Sequence, residues 1–221
     1  MKRYSVLLFD LDGTLTDPES GLIKSFVYAL DHMGVDYGDP SSLKRYIGPA
    51  LYTEWKRDYG FNEEEVTRAL AYFREYFAPY GWCDNRMFDG IPEMLDACRA
   101  DGRKIALATA KPEVFARKIL DMFRLTEKFD FIAGAVDEKI RDKKWEVIDY
   151  VLTQFPDVPR SEFLMVGDRV YDAEGAEKCG IDSLGVLWGQ GSAQEIAEAP
   201  FLSSVDSVSD LPAAVRALEE K

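Results

Sequence analysis

Near its start the chain reads Val6-Leu7-Leu8-Phe9-Asp10-Leu11-Asp12-Gly13-Thr14. An apolar run ends in two carboxylates two positions apart, followed by a glycine. On an extended backbone, residues two apart point to the same side, and Gly13 permits a turn that a side chain would resist. Two acids at a strand end are costly to desolvate unless something offsets them, and a divalent cation would do so. Taken alone, the pattern also describes a solvated Asp-rich turn. Two further segments change the balance. Ile105-Ala106-Leu107-Ala108 runs into Thr109-Ala110-Lys111, placing a hydroxyl at a strand end. Phe163-Leu164-Met165-Val166 runs into Gly167-Asp168-Arg169-Val170-Tyr171-Asp172, placing a second acidic pair at another. Ligands in open α/β sheets sit beyond the carboxyl ends of the strands. Three strand ends carrying compatible polar groups therefore point to one site on one sheet edge.

The elements that must position these residues are readable from periodicity. Unbroken apolar runs, including Phe131-Ile132-Ala133 and Leu184-Gly185-Val186-Leu187, suit strands covered on both faces, as in a parallel sheet. Helical stripes lie between them: Phe115, Ile119 and Met122; Ile148, Val151, Leu152 and Phe155; Val208, Leu211, Val215 and Leu218. Strand and helix alternate from about residue 91, which reads as βαβ units. The stretch before that is different. Leu22, Phe26, Leu30 and Met33 form one helical stripe, and Val66, Leu70, Phe73 and Phe77 form another, opened by a capping box at Asn62 and Glu65. Pro18 and Pro79-Tyr80-Gly81 mark junctions. The expectation is an α/β protein: a Rossmann-like parallel-sheet core of three α/β/α layers, residues 1–16 and 82–221, with an inserted helical cap domain at 17–81.

Charge narrows the ligand. The 221 residues carry 27 Lys and Arg against 40 Asp and Glu, a net charge of −13. That field repels nucleic acid, so none is expected as a partner. A small phosphorylated metabolite would feel the same field, so its site needs local positive charge from a metal ion or a lysine. Apolar runs are far shorter than a membrane span, and the opening residues lack the pattern of a targeting signal. A cytoplasmic monomer with no membrane association is expected. Cys83, Cys98 and Cys179 are odd in number and widely spaced, suiting small buried hydrophobes in a reducing compartment. His32 is the one histidine, which leaves almost no material for a Ser-His-Asp triad or a multi-histidine metal centre.

Asp10-Leu11-Asp12-Gly13-Thr14 resembles the first signature of the haloacid dehalogenase superfamily. Thr109 matches its second, a Ser or Thr ending a strand. Lys144, in Arg141-Asp142-Lys143-Lys144-Trp145-Glu146-Val147-Ile148, is similar to its third, and Gly167-Asp168-Arg169 with Asp172 to its fourth. Lys143 is an alternative to Lys144, which the phrase Lys-x-Glu-Val-Ile favours. The helical insertion resembles the superfamily's helical cap type. Tyr46-Ile47-Gly48-Pro49, Asp89-Gly90-Ile91-Pro92 and Gly185-Val186-Leu187-Trp188-Gly189 are similar to phosphoglycolate phosphatases and their 5′-nucleotidase-like relatives.

The resemblance implies a Mg²⁺-dependent phosphatase acting on a small phosphomonoester, such as phosphoglycolate or a nucleoside monophosphate. Asp10 would attack phosphorus and form an aspartyl-phosphate, and Asp12 would serve as acid and then base. Thr109 and Lys144 would hold the phosphoryl oxygens. Asp10, Asp12 (which the family uses through its backbone carbonyl), Asp168 and Asp172 would bind the metal. A cap closing over the site would set substrate choice, with Lys24, Arg45, Gly48 and Ala110 as substrate-binding candidates. Lys111 reads either as a solvated side chain beside Pro112 or as a participant. A phosphomutase would keep every motif. A non-catalytic phosphate-binding regulator would be marked by loss of a key group, and none is missing. A dehalogenase has no use for Asp12, because halide leaves without a proton.

Overall fold

Six segments become the strands of one sheet: β1 Val6–Phe9, β2 Lys104–Pro112, β3 Phe131–Ala135, β4 Phe163–Gly167, β5 Asp182–Val186 and β6 Ser203–Val205. Their spatial order in the computed structural model is β3-β2-β1-β4-β5-β6, and every pairing is parallel. The structure describes residues 3–48, 51–136, 141 and 143–220, so Pro49 and Asp142 of the motifs above lie outside the described residues. The order is the doubly wound one, in which the direction of strand addition reverses between β1 and β4 and leaves a crevice at their carboxyl ends. Phe9 lies opposite Leu107 on one side and Val166 on the other. The residues that follow β1 and β4 therefore emerge together, flanking that crevice.

The helices are α1 Glu19–Met33, α2 Leu51–Tyr59, α3 Glu63–Tyr76, α4 Ile91–Ala100, α5 Glu113–Met122, α6 Lys144–Thr153, α7 Val170–Lys178, α8 Ala193–Glu198 and α9 Leu211–Glu219. One face of the sheet, through Val6, Leu8, Ala106, Ala108 and Met165, packs on Val147, Ile148 and Val151 of α6 and Ala176 of α7. The alternate positions Leu7, Phe9, Ile105 and Leu107 are also fully buried. Cover on both faces explains why these strands show no polar alternation. Strand β6 has no apolar run to announce it: Ser203 and Ser204 are exposed and only Val205 is buried, which an edge strand tolerates.

The chain divides into two compact units, Met1–Asp17 with Met87–Lys221, and Pro18–Arg86. The second unit is helical. Its core gathers Phe26, Leu30, Leu43, Tyr46, Trp55 and Val66, with the Phe26 ring edge-on to Tyr46 and to Trp55 at 6.1 Å each. Most of its aromatic residues are thus packing, although Tyr52 is exposed. The capping box at Asn62 and Glu65 forms as expected. Pro79-Tyr80-Gly81 does not end this unit, because Phe77–Gly81 continues α3 as a π-helical turn. Beyond it, Asp84 accepts hydrogen bonds from the Gly21 N–H at 3.1 Å and the Ser20 hydroxyl at 2.9 Å, tying the segment to α1. The unit therefore runs to Arg86.

Cys98 and Cys179 are buried, as small hydrophobes would be, whereas Cys83 is exposed. Among the described residues no helix is long and apolar enough to cross a membrane.

Leu8 sits in the middle of β1 with no exposure. Leu8→Ala is expected to lower the unfolding free energy by about 2–5 kcal/mol in urea titrations of the full chain. A loss below about 1 kcal/mol would mean that β1 is not the centre of the core.

Candidate functional site

Asp10 follows β1 directly, its N–H donating to the Val166 carbonyl at 3.0 Å, which extends the pairing of β1 with β4 by one step. The chain then turns at Gly13, whose φ of +86° suits glycine. A Cβ there would also lie 2.1 Å from the Asp168 carboxylate, so the glycine makes room for that side chain. Asp168 follows β4 and is fully buried. Its Oδ1 accepts from the Thr14 hydroxyl at 3.2 Å and its Oδ2 from the Gln190 N–H at 2.8 Å. Asp172 stands in the first turn of α7, where its Oδ2 accepts from the Arg169 N–H at 3.1 Å. One carboxylate oxygen each from Asp10, Asp168 and Asp172 lies within 4.8 Å of the others.

Two buried ammonium groups face these acids. Lys144 opens α6, and its Nζ lies 2.6 Å from Asp10 Oδ1, 2.7 Å from Asp172 Oδ1 and 2.9 Å from the Ala108 carbonyl. Lys143 is exposed at the N-cap position, so the lysine turned inward is Lys144. On β2, Thr109 and Lys111 are buried while Ala110 between them is exposed. The Thr109 hydroxyl oxygen accepts from the Lys111 N–H at 3.2 Å. The Lys111 ammonium reaches Asp12 Oδ2 at 2.5 Å, with its side chain only 5% exposed. Lys111 is therefore not a solvated side chain beside Pro112.

The Asp12 carboxylate is engaged differently from the other three acids. It stands outside the group of converging oxygens from Asp10, Asp168 and Asp172 and pairs with Lys111. Its Oδ1 is buried with no hydrogen-bond partner among the described residues.

The electrostatics follow from crowding. Burial, followed by the charges of Asp172 and Asp10, pushes the Asp168 carboxyl up to about 7. Burial lifts Asp172 to about 6, with Lys144 pulling against it. Burial also raises Asp12, opposed by Lys111 and reinforced by Asp10. For Lys144, burial would favour the neutral amine, but the charges of Asp10 and Asp172 win and hold it protonated. Four carboxylates thus meet two ammonium groups. Three oxygens converging from Asp10, Asp168 and Asp172 are a hard donor set, and a divalent cation such as Mg²⁺ would cancel the remaining charge.

Lys24, Arg45 and Gly48 belong to the helical unit. Lys24 pairs with Asp84 at 2.6 Å, and the Arg45 guanidinium donates to the Tyr46 hydroxyl at 2.8 Å and faces Asp58 at 3.5 Å. Both are more than half exposed. Gly48 has a φ of +106°. Sequence reasoning gave no role to Thr14 and Gln190, which hold Asp168, or to Trp188, whose indole N–H donates to the Thr14 carbonyl at 3.0 Å. Thr14 and Trp188 carried a signal, through their places in Asp10-Leu11-Asp12-Gly13-Thr14 and Gly185-Val186-Leu187-Trp188-Gly189, whereas Gln190 carried none.

Residues 7–186 match the model of the haloacid dehalogenase-like hydrolase family. The chain is 40% identical over 194 residues to a 5′-nucleotidase of Pseudomonas aeruginosa, covering 88% of this chain and 87% of that one. It is 39% identical over 191 residues to a tyrosine-protein kinase of Mycobacterium tuberculosis, covering 86% of this chain but 65% of the longer relative. A Clostridium difficile protein of known crystal structure superimposes with a TM-score of 0.88 at 40% identity, covering 97% of this chain and 100% of that one.

Raised carboxyl pKa values mean that the folded chain holds these protons more tightly than the unfolded chain. The stability they contribute is complete below about 4 and is lost as pH rises through the folded values near 6 and 7. In chelator, the thermal midpoint is expected to fall between pH 5 and 8. Cation binding requires the deprotonated acids, so Mg²⁺ should raise the midpoint more at pH 8 than at pH 5. Asp168→Asn should remove most of that rise. An equal Mg²⁺ effect in the wild type and the variant would contradict the assignment.

Proposed function

The chain belongs to the haloacid dehalogenase-like hydrolase family and is a phosphatase of it, and we propose that it hydrolyses a small phosphomonoester through an aspartyl-phosphate on Asp10. The observation that carries this reading is the Lys144 bridge. One buried ammonium binds Asp10 and Asp172 together, 2.6 and 2.7 Å away, at the carboxyl edge of the sheet. This fixes one oxygen of Asp10 and leaves the other for attack.

An Asp10 oxygen bonds to phosphorus as the ester P–O bond breaks, and the departing oxygen takes a proton from Asp12. Asp12, now ionised, accepts a proton from water as that water attacks the aspartyl-phosphate. Inorganic phosphate leaves and Asp10 is restored. The two half-reactions move the proton in opposite directions, so one carboxyl group serves both. Thr109 would donate its hydroxyl proton to a phosphoryl oxygen, and Lys144 supplies positive charge to the same group. Asp10 and Asp168, with Asp172 and the Asp12 backbone carbonyl beside them, would hold Mg²⁺, whose charge would neutralise phosphoryl oxygens approached by a carboxylate.

The name of the 40% identical relative favours a nucleoside 5′-monophosphate as substrate, and the sequence motifs add phosphoglycolate. The mycobacterial relative named as a tyrosine kinase suggests a second reading. The same aspartyl-phosphate would then pass its phosphoryl group to a tyrosine hydroxyl in place of water.

The experiment is hydrolysis of para-nitrophenyl phosphate, nucleoside monophosphates and phosphoglycolate, with Mg²⁺ or with chelator. Asp10→Asn is expected to cut turnover at least about 10³-fold, and Asp12→Asn about 10²–10⁴-fold. Full activity in Asp10→Asn would overturn the nucleophile assignment. Labelled phosphotyrosine formed from ATP, with no release from any ester, would favour the kinase reading.

A further inference from the structure

We propose that Lys111 is a positioning residue for Asp12. Its ammonium holds this carboxylate apart from the cation-binding group, so that Asp12 remains available for proton transfer. The proposal rests on the reading of Asp12 as acid and base given above.

Asp12 stands two residues beyond Asp10, in a turn that carries both acids to the same sheet edge. A divalent cation held by Asp10, Asp168 and Asp172 would attract any further carboxylate within reach, and an acid captured by the metal could not shuttle a proton. Lys111 competes for it. Its Nζ lies 2.5 Å from Asp12 Oδ2, and the pair is secluded, with the two side chains 5% and 23% exposed. The other oxygen, Oδ1, is buried and has no hydrogen-bond partner among the described residues. One oxygen anchored and one unengaged is the arrangement a proton shuttle requires. Strand geometry supplies the anchor. Alternation along β2 buries Thr109 and Lys111 while exposing Ala110, and the Lys111 N–H donates to the Thr109 hydroxyl oxygen at 3.2 Å. The residue that positions Asp12 is thereby linked to the one expected to meet the phosphoryl group.

The test is a double-mutant cycle on the full chain with Mg²⁺, comparing wild type, Asp12→Asn, Lys111→Met and the double variant. Each is assayed on para-nitrophenyl phosphate, whose leaving group needs little protonation, and on glycerol phosphate, whose alkoxide needs it. Lys111→Met is expected to lower kcat for glycerol phosphate about 10- to 100-fold. The loss on the nitrophenyl ester should be smaller, with KM changed less than about threefold. In the Asp12→Asn background, removing Lys111 should cost almost nothing further. Lys111→Arg should restore part of the loss. The same fold-loss in both Asp12 backgrounds, or an equal loss on both esters, would overturn the proposal. So would a rise in KM with kcat unchanged, which would make Lys111 a substrate contact. If Asp12→Asn is itself fully active, the acid-base reading fails, a result distinct from an additive cycle. Should Lys111→Met not fold, Lys111→Gln replaces it in the same cycle.

Discussion

Like charges do not gather inside a protein without something to offset them, and here Asp10, Asp12, Asp168 and Asp172 gather at one edge of one sheet. Each is costly to bury as an anion, and crowding raises the cost. Lys144 neutralises part of the charge on Asp10 and Asp172, and Lys111 does the same for Asp12. Among the described residues no ammonium group pairs with Asp168; it is held by the Thr14 hydroxyl and the Gln190 N–H, and burial pushes its carboxyl up to about 7. The arrangement is stable in part because protons can occupy it, and it would become fully charged where a divalent cation replaced them.

The scaffold serves this crowding. The reversal of strand order between β1 and β4 opens the crevice in which Asp10 and Asp168 stand. Fully buried strands give the edge a rigid base, so the acids are placed by packing and not by flexible loops. Glycines make the close approach possible: a Cβ on Gly13 would strike Asp168, and one on Gly167 would strike Asp172, at 2.1 and 2.2 Å. Lysines arrive from two directions, Lys144 from the start of a helix and Lys111 from the end of a strand, so the two cations serve different acids.

Local patterns in the sequence carried much of this. Apolar runs ending in Asp10, Thr109 and Asp168 disclosed the sheet edge, because strand and polar terminus are adjacent in the chain. Lys144 could be preferred to Lys143 from its surrounding phrase. What stayed hidden depends on contacts between distant segments. Lys111 meets Asp12 across 99 positions, and nothing beside Pro112 announces it. Spacing likewise places Asp10 and Asp12 on one side without revealing which partner claims each carboxylate. Thr14 and Gln190 reach Asp168 from 154 and 22 positions away. The end of the helical unit was placed at Gly81 because Pro79 and Gly81 resemble a breaker, whereas hydrogen bonds from Gly21 and Ser20 to Asp84 carry that unit to Arg86. Strand β6 escaped notice because an edge strand needs no apolar run.

Anomalous diffraction from crystals grown with Mn²⁺, a cation that shares the preference for oxygen ligands, would locate the metal directly. One peak per chain is expected, bounded by carboxylate oxygens of Asp10 and Asp168 with Asp172 beside them, while the Asp12 carboxylate stays on Lys111. No peak among these residues, or a metal coordinated by the Asp12 carboxylate with Lys111 displaced, would contradict the charge balance on which the site rests.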